Sequence, residues 1–167
     1  MTDGGASRAM VHTIAGGRQA GGFRFAIVVS SYHDFVTGRL ERGAIETLCG
    51  AGVSSEAITV IRVPGAFEIP IAAQHAAKGG RYHAVIGLGC LIKGETPHME
   101  FIAAAVANGL TAAAAATGVP MAFGVLTTNS VEEALARADD GPGNKGREAA
   151  AAALEMASVI AQLTAKA

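Results

Sequence analysis

The stretch Gly89-Cys90-Leu91-Ile92-Lys93-Gly94-Glu95-Thr96-Pro97-His98 holds the densest set of chemically able groups in this 167-residue chain. Thr96 before Pro97 reads as a helix start, with a hydroxyl suited to the N-cap and a proline at the first helical position. The unpaired N–H groups that follow, beside a glycine turn, suit a phosphate. His98 falls at the second helical position, and an imidazole there can take and return protons near neutral pH. The plain alternative is a helix cap carrying a surface histidine.

Three other segments offer groups of the same kind. In Val63-Pro64-Gly65-Ala66-Phe67-Glu68-Ile69-Pro70, two prolines stiffen a loop whose Ala66 and Phe67 N–H groups can face a planar ligand. Glu68 either complements a helix dipole or accepts hydrogen bonds from ligand hydroxyls. Tyr32, in Ser31-Tyr32-His33, either stacks on a heterocycle or closes the top of the core. Arg137 near a helix end either compensates the dipole or holds a phosphate dianion. Gly141-Pro142-Gly143-Asn144-Lys145-Gly146 breaks the helical pattern, with Asn144 as a cap and Lys145 as a second phosphate charge or a solvated one.

The elements that must position these groups alternate. The runs 25–30, 58–63, 84–89 and 121–126 read as strands, the first of them short, continuous and β-branched as a strand buried on both faces is. Helical spacing follows each: from the turn at Ser31–Asp34 to Gly50, from about Glu68 to Lys78, from near Pro97, and at about 131–138 and 144–164. A βαβαβαβ order with two closing helices predicts an α/β three-layer sandwich on a four-stranded parallel sheet, of flavodoxin-like topology. Ligands in such sheets bind beyond the carboxyl ends of the strands. That rule selects the loops 30–37, 63–70, 89–98 and 126–131, which between them carry most of the groups above.

Composition narrows the function classes. Thirteen basic and fourteen acidic residues leave a net charge of −1, with pI near 6.5, and no basic footprint for nucleic acid. Half the residues are hydrophobic and 16% charged, which excludes a disordered chain. No apolar run is expected to reach the roughly 20 residues that span a bilayer. Cys49 and Cys90 form neither a disulfide framework nor a metal spacing, so a reducing cytoplasm suits them. The 36 alanines and 22 glycines leave a weakly polar surface. Homo-oligomerisation would bury it, and a codon bias toward Ala and Gly explains the composition equally well. Residues 1–22 read as a flexible N-terminal tail, and 23–167 as one domain.

Four segments together resemble the lumazine synthase family: Phe25–Val29 with Tyr32 and Phe35-Val36-Thr37-Gly38; Val63–Pro70; Gly94-Glu95-Thr96-Pro97-His98; and Gly124-Val125-Leu126-Thr127-Thr128 through Gly143-Asn144-Lys145-Gly146. The resemblance runs over about 23–164 in the family's order and spacing. It implies condensation of 5-amino-6-(D-ribitylamino)uracil with 3,4-dihydroxy-2-butanone 4-phosphate to 6,7-dimethyl-8-ribityllumazine, releasing phosphate and water. This is the penultimate step of riboflavin biosynthesis, and it uses no cofactor and no metal. The resemblance implies that Tyr32 stacks on the pyrimidine and that Ala66, Phe67 and Glu68 hold the ribityl chain. Cys90, Leu91 and Ile92 would line the uracil pocket. Glu95 and Thr96 would meet the butanone phosphate, and His98 would move protons. Phe123 and Arg137 would come from a neighbouring subunit, Arg137 to the phosphate, with Lys145 and Glu148 in supporting contacts. It further implies a homopentamer with its sites between subunits, and in some members a shell of twelve such rings.

Two stretches depart from the family's pattern. Tyr32 stands where Phe or Trp is more familiar, with an unusual His33 beside it. Ala138-Asp139-Asp140-Gly141-Pro142-Gly143 replaces the basic, glycine-rich linker of shell-forming members. A response-regulator receiver is excluded, because Ser30-Ser31-Tyr32 and Gly89-Cys90 stand where it needs acidic residues. A flavin- or lumazine-binding module without synthase activity shares the fold and stays open on the residues alone.

Overall fold

A computed structural model describes residues 11–165. Four strands, β1 (Phe25–Ser30), β2 (Ile58–Val63), β3 (Ala84–Ile92) and β4 (Met121–Thr128), form one sheet in the order β2-β1-β3-β4. All its ladders are parallel. The helices are α1 (Asp34–Gly50), α2 (Ile69–Lys78), α3 (His98–Thr117), α4 (Val131–Arg137) and α5 (Lys145–Thr164). Parallel strands need crossovers, and the crossovers cover both faces. The alternation of β1 shows the result. Phe25, Ile27 and Val29 pack with α1 and α5 residues such as Leu40, Leu48 and Leu154. Ala26 and Val28 pack with Ile69, Ala73, Val106 and Leu110 of α2 and α3. The three-layer sandwich read from the sequence is the observed fold.

Two element boundaries differ from the sequence reading, each for a local reason. Strands β3 and β4 run past the end of β1, because Cys90, Leu91 and Ile92 find partners in Leu126, Thr127 and Thr128. The loops expected at 89–98 and 126–131 are therefore strand at their starts, over 89–92 and 126–128, and residues 93–97 and 129–130 alone connect. Helix α3 starts one residue late: Pro97 takes the cap position, His98 opens the helix, and no side chain caps it. Thr96 is thus not the N-cap.

Helix α3 also corrects the reading that no apolar run is of membrane length. By length and composition alone it could cross a bilayer, and only 17% of its most apolar stretch is buried in this chain. Much of that apolar character is alanine, which leaves the outer face smooth and weakly polar.

The segment read as a tail divides. Residues 1–10 lie outside the described residues. Residues 11–22 have no helix or strand, yet they lie against α5. Gly17 N–H donates to Ser158 Oγ at 3.1 Å, Gln162 Nε2 donates to the Ala15 carbonyl at 2.8 Å, and Ala20 is buried.

Candidate active site

The strand order reverses between β1 and β3, which is where an open parallel sheet leaves a crevice at its carboxyl edge. A cleft of about 930 Å³ opens there. Its first wall is the loop after β1. The Ser30 carbonyl accepts the Thr37 hydroxyl at 2.8 Å, and Ser30 Oγ accepts the Tyr32 N–H at 3.2 Å. The Ser31 and Tyr32 N–H groups reach across to the Val63 and Pro64 carbonyls at 2.8 and 3.1 Å. These bonds tie the loops after β1 and β2 together and leave the Tyr32 ring 66% exposed on the cleft. His33 adopts the left-handed conformation, φ 58° and ψ 47°. Its ring lies between those of Tyr32, 4.4 Å away, and Phe35, 5.8 Å away.

The floor and second wall come from β2, β3 and α3. Ala66 to Glu68 form a single 3-10 turn. A Cβ on Gly65 would come within 3.0 Å of Glu68 Oε2, so glycine lets that carboxylate fold back over the turn. Leu91 and Ile92 line the cleft half-buried, and Cys90 lines it fully buried. Burial pushes the Cys90 thiol up to about 11, so it meets a ligand as a neutral, uncharged group. Gly94, Thr96 and His98 complete the rim, with His98 exposed at the uncapped start of α3. Glu95 does not line the cleft; its neighbours Gly94 and Thr96 do.

The remaining predicted residues gather elsewhere. Phe123, Arg137, Lys145 and Glu148 line a hollow of about 380 Å³ along β4, the edge of the sheet. Arg137 Nη1 donates to the Glu133 carbonyl at 3.1 Å. Lys145 pairs with Glu148 at 2.8 Å. Helix α4, which ends at Arg137, is fixed at its start by a capping pair. Ser130 Oγ accepts the Glu133 N–H at 3.2 Å, and the Glu133 carboxylate accepts the Asn129 N–H at 2.9 Å. That backbone bond holds the Glu133 carboxyl below its ordinary value. The hollow and the cleft share no lining residue, so within one chain they are separate cavities. Among the described residues no cluster of His, Cys, Asp or Glu is arranged to hold a metal ion.

The 6,7-dimethyl-8-ribityllumazine synthase sequence model matches residues 22–161, which takes in the lining of both cavities. The chain belongs to the lumazine synthase family. A relative from Nitratidesulfovibrio vulgaris, named 6,7-dimethyl-8-ribityllumazine synthase, is 48% identical over 153 residues, 92% of this chain and 98% of its own length. The family match and this relative carry the synthase reading; neither supports a binding module without activity.

Several residues of the cleft escaped the sequence reading. Met99 and Ile102 were legible only as apolar spacing along α3, yet both line the cleft, with Phe101 beside them. An exposed Phe next to a helix start was the one signal that could have marked this wall. Val131, the first residue of α4, also reaches the cleft.

Proposed function

We propose that this chain condenses 5-amino-6-(D-ribitylamino)uracil with 3,4-dihydroxy-2-butanone 4-phosphate, and that its catalytic sites form where two subunits meet. The observation that carries this reading is the family match over 22–161, whose span includes a cleft lined by the exposed rings of Tyr32, Phe67 and Phe101, the Glu68 carboxylate and the imidazoles of His33 and His98. Tyr32 stacks on the pyrimidine. Ala66 and Phe67 offer backbone groups to it, and Glu68 accepts from the ribityl hydroxyls. Cys90, Leu91 and Ile92 supply an apolar, uncharged wall.

The butanone phosphate sits at the N-terminus of α3, where free N–H groups and the helix dipole favour an anion. Thr96 lies there, with Glu95 beside it outside the cleft. Attack of the 5-amino group on the carbonyl forms an imine and releases water. Loss of phosphate and ring closure follow, and each step moves a proton. His98 stands at the rim to take and return those protons. Holding both substrates in register supplies much of the remaining acceleration.

Arg137 completes the phosphate site from the neighbouring subunit, and Phe123 closes the pocket beside it. Lys145 and Glu148 support that side. Three features support such an interface. The two half-sites of one chain are separate. Strand β4 is a sheet edge with Phe123 47% exposed. Helix α3 leaves most of its apolar surface, including Phe101, uncovered. A ring of five subunits buries these surfaces. Free Cys49 and Cys90 suit work in a reducing cytoplasm.

Purified protein given both substrates should produce a fluorescent lumazine and one phosphate per turnover. Its solution mass should be five times the 16.7 kDa chain, and sixty times if rings assemble into a shell. Absence of product with both substrates present would overturn the reading.

A further inference from the structure

Asn144 touches neither half-site, yet its side chain is the most heavily bonded polar group in the fold. It is buried to 1% exposure between the end of α4, the start of α5 and α1. Its Oδ1 accepts the N–H groups of Gly146 at 2.8 Å and Arg147 at 3.1 Å, capping α5. Its Nδ2 donates to the carbonyls of Ala138 and Asp139, each at 3.0 Å, with a longer contact to the Arg39 carbonyl at 3.4 Å. The pattern fixes the amide's orientation, because the reverse would set an NH₂ against two donors and an oxygen against three carbonyls.

Ala138 directly follows Arg137, and Asn144 directly precedes Lys145. One amide therefore ties together the chain ends from which both cations of the second half-site project. The linker between them holds Gly141, Pro142 and Gly143, and its other side-chain ties are exposed, such as Arg42 to Asp140 at 3.4 Å. Gly43 makes room for the amide, and Gly146 lets α5 approach α1. A Cβ on Gly43 would stand 2.6 Å from Asn144 Oδ1, and a Cβ on Gly146 would stand 2.0 Å from the Leu40 carbonyl oxygen.

We infer that Asn144 is a positioning residue for phosphate recognition: its amide clamps the α4–α5 linker so that Arg137 and Lys145 keep the separation a phosphate dianion requires. The inference rests on the proposed role of Arg137 and adds a residue that acts through it. Asn144→Ser keeps an N-cap acceptor and removes both donors. Asn144→Asp keeps size and cap but turns an oxygen toward the linker carbonyls.

The test is steady-state kinetics of the assembled enzyme with each substrate varied in turn, plus inhibition by inorganic phosphate. In either variant KM for the butanone phosphate should rise about tenfold, as expected when charge-assisted hydrogen bonds slacken, and phosphate inhibition should weaken in parallel. KM for the pyrimidine should stay within about twofold, and in an Arg137→Ala background the Asn144 effect should shrink to the part that acts through Lys145. A cap that only stabilises α5 would lower the melting temperature and the active fraction without separating the two KM values. The inference is overturned if Arg137→Ala weakens phosphate binding while Asn144→Ser leaves it unchanged, or if both KM values rise together. If Arg137→Ala itself leaves the butanone-phosphate kinetics unchanged, the role given to Arg137 fails and takes this inference with it.

Discussion

Under the proposed function His98 and Arg137 divide the work at the scale of single side chains, and their replacements should differ in kind. His98 stands at an uncapped helix start on the cleft rim, and in its proposed role it moves protons that water can also carry more slowly. His98→Ala should lower kcat by roughly 10²-fold with KM values little changed. Arg137 is the proposed phosphate ligand, so Arg137→Ala should chiefly raise KM for the phosphate-bearing substrate, by about 10–100-fold, as loss of a charged hydrogen bond predicts. Full activity in the first variant and unchanged phosphate kinetics in the second would contradict both assignments. Cys90 gives a separate check. Its thiol is buried and pushed up to about 11, so alkylating agents at neutral pH should leave it unmodified in the intact protein. Mass spectrometry of the labelled chain reads this directly.

Among the elements, α4 and α5 show how the hollow along β4 is held. Ser130 and Glu133 cap α4. The Glu133 carboxyl is held below its ordinary 4.5 by the Asn129 N–H. A group depressed in the folded state adds stability above its unfolded value, and that stability is lost as pH falls through the folded one. Glu133→Gln should therefore melt slightly lower than the parent near neutral pH, and the gap should close as pH drops below about 4.5. Because the side chain is exposed, added salt should shrink the gap too. Close contact of α1 with α5 depends on Gly146, where a methyl would stand 2.0 Å from the Leu40 oxygen. Gly146→Ala should destabilise the fold by about 3 kcal/mol in denaturant unfolding.

These elements also show what the sequence made legible. Phe25–Ser30 stood out because burial on both faces demands an unbroken run, and it is buried throughout; Ile58–Val63, at the sheet edge, is only half-buried and carries Arg62 exposed. The start of α3 was misread by one residue, because Thr96 and Pro97 are both good terminal residues and packing decides between them. Cys90 to Ile92 looked like loop, because only the pairing with β4 reveals that strand continues there. The separation of Arg137 from His98 within one chain was implied by family resemblance alone. Nothing in local spacing reports which sheet edge a helix end will face. Asn144 was legible as a cap, but its bonds to Ala138 and Asp139 close a turn that spacing does not show.

The whole molecule presents two separate cavities, and under the proposed function each is half of a site completed by a neighbouring subunit. Strand β4 and helix α3 present apolar surface that a single chain leaves open, and small residues there allow close approach. If a site takes His98 from one subunit and Arg137 from the next, two defective chains can repair each other. His98→Ala and Arg137→Ala chains, co-assembled at equal amounts, should place both intact groups at about a quarter of their interfaces. Activity at limiting butanone phosphate is the deciding measurement. The mixture should reach about a quarter of the parent's rate per site, far above either variant alone. A co-assembled mixture no more active than the mean of its two parents would place both groups in one chain's own site and contradict the account.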